Sequence, residues 1–258
     1  MRRFPLFLLS GIAIGFLTLP LAVLVIRAIN DSAWGALASP AVGSALWLSV
    51  WTSAISLIVT FIFGTPLAYT LARYRFFGRR LMLVLCALPI VLPPAVAGMA
   101  LLLTFGKKGA IGGWLWEQDI RIAFTVTAVI MAQVFVSAPF YIRSAVTGFM
   151  AIPQDIQEAA RVDGADGYVL FFRVILPLSA RTLLAGMVLA WARALGEFGA
   201  TIFFAGGTQG KTQTMPLLIY QLFDSDLDAT IATGVMLMGL ALVALMLAQL
   251  LSRERVVW

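Results

Sequence analysis

Two charged side chains lie four residues apart inside a long apolar stretch of the chain. They are Arg193 and Glu197, in the segment WARALGEFGA. This spacing places both on one face of a helix, so the guanidinium and the carboxylate can pair, although arginine before glutamate is the less favourable order for helix support. Charged residues at membrane depth commonly face the interior of a helical bundle and often mark the route of a polar solute. The pattern predicts either a solute pathway or a buried structural ion pair.

A second segment has the spacing of a phosphate-binding loop. AGGTQGKT, residues 205–212, differs from a P-loop in beginning with Ala instead of Gly. A P-loop follows a β-strand and opens a helix, so that its backbone amides cradle phosphate. This segment instead follows a long apolar stretch with no α/β pattern around it. We therefore interpret it as a flexible connecting loop and predict no nucleotide site here.

The residue inventory excludes several kinds of chemistry. The chain has no histidine and one cysteine, Cys86, within an apolar run. Histidine acid–base catalysis and an internal disulfide are therefore excluded, and most zinc and haem sites with them. We predict no catalytic residue and no metal site on this chain.

A third segment, EAARVDGADGYVLFFRVILP, is too polar to cross a bilayer. It runs from Glu158 to Pro177. Pro153 suits the first turn of a helix, and Gly164 can adopt the left-handed conformation that ends one. The pattern predicts a helix, a glycine turn and a second helical piece from about Tyr168 to Val174.

The small side chains of Ala159 and Ala160 allow another backbone to approach this first helix closely. A short helix with a small-residue side and a charged end could fit a groove on a partner protein. The alternative is an amphipathic helix that lies on lipid headgroups. The residues alone leave both interpretations open.

Prolines interrupt another apolar stretch, ALPIVLPPAVAG. Pro89, Pro93 and Pro94 each remove a backbone hydrogen bond and kink a helix. Irregular backbone at membrane depth is tolerated where it is buried in protein or lines a watery cavity. The prolines predict either a static kink that shapes packing or a helix that lines a pathway and bends during gating.

The elements that must position these residues are membrane helices. The chain has 258 residues, of which 61% are hydrophobic and 12% charged, whereas soluble domains are about 25% charged. A membrane-spanning helix needs about 20 apolar residues. An all-α fold with six spans is predicted, the first being an uncleaved helix rather than a signal peptide. The expected spans are residues 6–28, 44–72, 81–105, 122–148, 178–204 and 229–251.

The basic residues orient these spans. Short cytoplasmic segments carry an excess of Lys and Arg. One side of the predicted topology carries Arg27, Lys107, Lys108, Arg121 and Lys211. The other carries Arg2, Arg3, Arg73, Arg75, Arg79, Arg80, Arg143, Arg161, Arg173, Arg181, Arg253 and Arg255. Both termini and the Glu158 segment are therefore expected in the cytoplasm, and the net charge of +6 reflects topology rather than nucleic-acid binding.

The Glu158 segment resembles the EAA loop in permease subunits of bacterial ATP-binding-cassette importers. The family pattern is E-A-A, three residues, G, nine residues, then I-x-L-P. Here Glu158, Ala159, Ala160 and Gly164 match it, and Val174 replaces Ile in the last element. The resemblance implies a core at residues 44–252 with its EAA loop at 150–177, and a first helix and outer loop at 1–43. It also implies that the first loop helix couples the permease to a cytoplasmic ATPase subunit.

Three further segments narrow the resemblance. LPIVLPPAVAG, RALGEFGATI and KTQTMPLLIY are most similar to molybdate permeases, with sulfate/thiosulfate and tungstate permeases close. The resemblance implies a homodimer in the bacterial inner membrane, two ATPase subunits that hold ATP and Mg, and an outer oxyanion-binding protein. It makes five residues candidates for the translocation path or gate: Pro93, Pro94, Arg193, Glu197 and Phe198.

Two other classes of function compete with this interpretation. A secondary transporter would show inverted repeats and would leave the docking loop unexplained. A membrane-embedded enzyme would need a nucleophile–base pair or a metal set, and the sequence has no histidine and no G-x-S-x-G motif. Co-purification of an ATPase subunit would separate the importer from both alternatives.

Overall fold

The computed structural model describes residues 4–30, 34, 35, 37 and 39–252. These residues form helices and connecting turns and contain no strand, which confirms the predicted helical membrane fold. One π-helical turn, Phe171–Ile175, occurs among them. The helices are α1 Phe4–Asn30, α2 Pro40–Arg73, α3 Arg79–Val91, α4 Pro94–Phe105, α5 Gly112–Glu117, α6 Val126–Met150, α7 Gln154–Val162, α8 Gly167–Leu170, α9 Leu176–Leu195, α10 Gly199–Ala205, α11 Met215–Leu222 and α12 Leu227–Ser252.

Several of these helices are long and apolar enough to cross a membrane. Over the described residues there are five such stretches, and a sixth if α3 and α4 together count as one broken span. The five are Phe7–Ile29, Pro40–Arg73, Val126–Met150, Gly167–Leu195 and Leu227–Met246. The count agrees with the predicted six spans. Four arginines used to orient the chain lie outside the described residues: Arg2, Arg3, Arg253 and Arg255.

The third predicted span is two helices and not one kinked helix. α3 and α4 meet at Leu92 and Pro93 with a bend of 114°. Pro93 and Pro94 have no N–H, so the carbonyls of Pro89 and Ile90 lose their helical donors. Two adjacent prolines therefore break the helix where a single proline would bend it.

The fifth predicted span, residues 178–204, is also broken. α9 ends at Leu195, and α10 begins at Gly199 after a short non-helical segment. The fourth span begins at Val126 instead of residue 122. Phe124 has a positive φ of 61° and donates its N–H to the carbonyl of Phe204 over 3.1 Å, which keeps it out of the helix.

A row of small hydroxyl side chains on α2 packs the centre of the bundle. Ser49, Thr52, Ser53 and Ser56 are fully buried. Thr52 and Ser56 donate to carbonyls of their own helix, so burial leaves them satisfied. Small residues let membrane helices approach closely. α2 therefore packs tightly against α6 and α9.

Hydrogen bonds to this row fix two other helices. The indole N–H of Trp191, on α9, donates to the Ser53 hydroxyl over 2.9 Å. The backbone N–H of Met215, at the start of α11, donates to the Ser49 hydroxyl over 2.8 Å. The positions of α9 and α11 within the bundle are thus set by polar contacts as well as by apolar packing.

Two of the three buried apolar clusters among the described residues lie along α6. The loop-side cluster lies next to α7, and its buried members are Ala68, Leu71, Tyr141, Ile142, Ala145, Val146, Phe149, Ile152, Leu170, Ile175, Leu183 and Ala190. The far-side cluster contains residues of α4, α10 and the first half of α6. Its buried members are Ala97, Leu101, Ala128, Val129, Ala132, Val136, Ala200, Phe204 and Ala205.

The first helix lies apart from both clusters. α1 contacts α12, and none of its apolar window is buried within this chain. Its side chains from Phe7 to Ile26 are almost all exposed. Such a surface suits lipid or another membrane helix.

Candidate functional site

The loop between α6 and α9 has the predicted helix, glycine turn and second helical piece. α7 begins directly after Pro153. Gly164 has a φ of 86°, the left-handed conformation expected of it. Its N–H donates to the Arg161 carbonyl over 3.0 Å, and the Ala165 N–H donates to the Ala160 carbonyl over 2.9 Å. These two bonds form a Schellman motif, which ends α7 and turns the chain sharply.

One side of α7 rests on the bundle. Gln157 is buried, and Ala160 packs against the loop-side cluster. The Arg73 guanidinium, at the end of α2, donates to the Ile152 carbonyl over 3.2 Å. The aromatic ring of Tyr69 stacks edge-on against Phe149 and Phe171. α7 is therefore held to the ends of the spanning helices.

The opposite side of α7 is uncovered. Ile156, Ala159 and Val162 follow one another at helical spacing and are exposed, Val162 to 88%. Glu158 is exposed beside them. We call these four residues the α7 outer face. The two alanines of the motif thus have different neighbours, since Ala160 packs on the bundle and Ala159 belongs to the outer face.

Sequence reasoning missed a cleft beside α7. It has a volume of about 200 Å³ and lies between the end of α2 and the start of α7. The lining residues are Tyr69, Arg73, Tyr74, Gln154, Gln157, Glu158 and Arg161. In the sequence, Arg73 serves only as a topology signal, and nothing in its spacing indicates that it meets α7.

The predicted pair of Arg193 and Glu197 is present, but it spans a helix break. Arg193 lies in the last turn of α9, and Glu197 follows the end of that helix. Nη1 of Arg193 is 2.8 Å from Oε2 of Glu197. The Glu197 side chain is 1% exposed and the Arg193 side chain 29%. The expectation that both lie on one continuous helix was wrong.

The Glu197 carboxylate makes a second bond that the sequence did not indicate. Oε1 accepts the backbone N–H of Ala200, in the first turn of α10, over 2.7 Å. A carboxylate that bonds the first free N–H groups of a helix stabilises its start. Glu197 therefore joins the end of α9 to the beginning of α10.

The structure brings together only some of the candidate path residues. A cavity of about 90 Å³ lies at the break between α3 and α4. Pro94 and Arg193 both line it, with Pro89, Ile90, Leu92, Ala97, Val136 and Phe140. Pro93 and Glu197 do not. The Phe198 ring contacts instead the ring of Tyr220, with the centroids 5.1 Å apart.

The loop that resembles a P-loop is folded on itself. The Thr208 carbonyl accepts the backbone N–H groups of Lys211, Thr212 and Gln213. A phosphate cradle needs such groups to be free. The Gln221 amide donates to the Gly207 carbonyl and pairs with Gln213. The loop is thus an ordered connection between α10 and α11.

No group of three His, Cys, Asp or Glu side chains that could hold a metal occurs in the described part of the chain.

The bundle combines continuous and broken spanning helices with a helical loop whose outer face is exposed. The chain belongs to the family described as binding-protein-dependent transport system inner membrane component, whose sequence pattern matches residues 64–256. It is thus an importer permease subunit of the type I ATP-binding-cassette class and a transport component. Family membership confirms the resemblance and decides against the secondary transporter and the membrane-embedded enzyme.

Individual relatives agree with this assignment. The molybdenum transport system permease protein ModB of Mycobacterium bovis is 42% identical over 88% of this chain and 86% of its own. The sulfate transport system permease protein CysW of Escherichia coli is 36% identical over 84% of this chain and 75% of its own. A solved bacterial alginate transporter, in complex with an alginate-bound periplasmic protein, shares the fold with a TM-score of 0.75. It covers 98% of this chain and 95% of its own at 20% identity.

Proposed function

We propose that this chain is the permease of an ATP-driven molybdate importer in the bacterial inner membrane. Two copies form a homodimer, an outer binding protein delivers the oxyanion, and two ATPase subunits hydrolyse ATP in the cytoplasm. The observation that carries the proposal is α7, a helix fixed to the bundle on one side and uncovered on the other. The relatives named for molybdenum and sulfate transport support an oxyanion as cargo.

The α7 outer face is the docking surface for an ATPase subunit. Ile156, Ala159 and Val162 give it an apolar, partly small-residue surface that a groove on a soluble partner can bury, and Glu158 adds a charge at its edge. Removal of such a face from water contributes about 25 cal/mol per Å² of apolar area, before the entropic costs of association are subtracted. Because Ala160 packs against the loop-side cluster, displacement of the helix by the ATPase is transmitted to α2, α6 and α9.

The translocation path runs between the broken spans of the two copies. Pro93, Pro94, Arg193, Glu197 and Phe198 are the candidate path and gate residues. Broken helices at membrane depth commonly border a solute pathway, because their irregular backbone needs protein or water as a partner. Arg193 provides a partly exposed positive charge beside the α3–α4 break, which suits an anionic solute.

The sulfate relative makes sulfate the second candidate cargo. The test is ATP hydrolysis by the reconstituted complex with its binding protein loaded with molybdate, tungstate or sulfate in turn. We expect the largest stimulation with molybdate. Stimulation by sulfate alone would assign the chain to sulfate import, and equal hydrolysis with empty and loaded binding protein would contradict the proposal.

A further inference from the structure

A glycine from each broken span lies at a contact too close for any side chain. A Cβ atom on Gly98, in α4, would lie 2.6 Å from the carbonyl oxygen of Ala200, in α10. A Cβ atom on Gly199 would lie 2.6 Å from Cβ of Pro94. Real Cβ atoms do not approach other heavy atoms within 3.0 Å. α4 and α10 therefore touch at backbone level in two places.

Apolar packing continues this contact along both helices. Ala97 and Leu101 of α4 belong to the same buried cluster as Ala200 and Phe204 of α10. Membrane helices associate mainly through van der Waals packing, since lipid offers no hydrophobic drive. Separating α4 from α10 would forfeit this packing without compensation from water.

The helices on the other side of each break pack elsewhere. α3 has no buried residue, and Leu183 and Ala190 of α9 lie in the loop-side cluster. The α3–α4 break lacks the backbone donors of Pro93 and Pro94. The α9–α10 break is spanned by the Glu197 carboxylate, which bonds Arg193 on one side and Ala200 on the other. Both breaks thus separate the α4–α10 pair from the loop-side part of the bundle.

We infer that α4 and α10 form one rigid gate unit that stays together throughout transport. The unit moves about the two breaks, at Leu92–Pro93 and at Gly196–Phe198, and these two spans do not open by separating from each other. The inference rests on the proposed function in one respect, the placement of the two helices beside the path.

Disulfide cross-linking across the contact tests the rigid unit. Cys86 is first replaced by Ala, so that only introduced thiols react. One variant combines Pro94→Cys with Gly199→Cys, and a second combines Gly98→Cys with Phe203→Cys, whose Cβ positions lie 2.9 Å apart. In each pair the two Cβ atoms must move apart by about 1 Å to reach the Cβ–Cβ distance of a disulfide, about 3.5–4.5 Å. The second pair leaves both prolines in place.

The complex with its ATPase is reconstituted, oxidised with copper phenanthroline, and assayed for ATP-driven molybdate uptake before and after reduction. We expect the same uptake rate in both states, because the locked helices already move together. Uptake that is lost on oxidation and restored by reduction would overturn the inference.

The rate of disulfide formation gives a readout that does not need transport. It is measured with and without ATP and vanadate, and we expect no difference between the two conditions. A large fall in the rate of disulfide formation, either with or without ATP and vanadate, would mean that α4 and α10 separate. Failure of wild-type uptake would instead count against the proposed function, so the two failures remain distinguishable.

A glycine in an open position provides the matched control for a substitution at Gly98. Gly239, in α12, has no atom within 4 Å of the position of a Cβ. We expect Gly98→Ala to lower Tm relative to Gly239→Ala, because the added methyl group overpacks the contact with α10. Equal Tm values for the two variants would contradict the close contact.

Discussion

The buried Glu197 carboxylate is held by two bonds of different kinds. An ion pair to Arg193 and a backbone N–H from Ala200 occupy its two oxygens. A charged side chain at membrane depth is costly unless it is paired and hydrogen-bonded. Glu197 is more buried than Arg193. Replacing Arg193 therefore leaves an unpaired charge that costs more free energy than the charge left by replacing Glu197.

A double-mutant cycle tests this pair. Arg193→Ala is expected to destabilise the protein by about 3 kcal/mol, because it leaves a buried carboxylate without its cation. The double variant with Glu197→Ala should be more stable than Arg193→Ala. Glu197→Gln is the control, since its amide oxygen can still accept the Ala200 N–H. The measurement is Tm in detergent, and strictly additive shifts would show that the two side chains do not interact.

Uptake by the same variants separates a structural role from a role in the path. A purely structural pair predicts that the double variant recovers both folding and molybdate uptake. A guanidinium that also attracts the passing oxyanion predicts recovery of folding without uptake. We expect the second result, because Arg193 is partly exposed and lines the cavity at the α3–α4 break.

At the scale of elements, α7 depends on the turn that ends it. No atom lies within 4 Å of the position of a Cβ on Gly164, so any substitution there acts through its φ of 86° alone.

Gly164→Val should disrupt the turn and uncouple transport. A left-handed conformation costs a non-glycine residue about 1–2 kcal/mol, and more for a β-branched one. Gly164→Asn is the matched control, because Asn tolerates this conformation. We expect ATPase co-purification to fall with Val and to persist with Asn. Equal retention of the ATPase by both variants would show that the turn does not position α7.

The charge on the α7 outer face provides a separate test of docking. Glu158→Lys should weaken ATPase attachment while leaving the permease folded, because the side chain is exposed and makes no intramolecular ion pair among the described residues. Glu117→Lys is the control, an equal charge change at an exposed site on the side expected to face outward. If Glu158→Lys transports at the rate of Glu117→Lys, α7 rests on lipid and docks no ATPase.

Elements with local signals could be predicted from the sequence. Six apolar stretches, the helix before Gly164 and the disruption at Pro93 and Pro94 all follow from residue type and spacing. The break after Leu195 could not be predicted, because LGEFG contains no proline and its carboxylate cap forms only in the folded chain. The contact at Gly98 depends on a helix about 100 residues away, and no local pattern encodes such a distance.

At the scale of the whole molecule, the two clusters give the bundle two functional ends. α7 and the loop-side cluster lie at one end, and the α4–α10 pair lies with the far-side cluster. The basic residues predict that the α7 end faces the cytoplasm. ATP hydrolysis on a subunit docked at α7 and solute movement at the breaks would then be connected through α2, α6 and α9.

Cysteine labelling tests this orientation. Single cysteines at Arg75 and Asp163 should react with a membrane-impermeant maleimide only after the membrane is opened. Cysteines at Lys107 and Lys211 should react in intact cells. All four side chains are exposed, so burial does not limit the reaction. Labelling of the Asp163 position in intact cells would reverse the orientation and remove α7 from reach of a cytoplasmic ATPase.

The central claim is that this permease moves molybdate at the expense of ATP hydrolysed on a partner chain. Its most direct test is uptake of radiolabelled molybdate by proteoliposomes that contain the permease, the ATPase and the binding protein. We expect uptake that requires ATP, persists in excess sulfate and is abolished by Glu158→Lys. Uptake that proceeds without ATP, or radiolabelled sulfate uptake that molybdate does not inhibit, would contradict it.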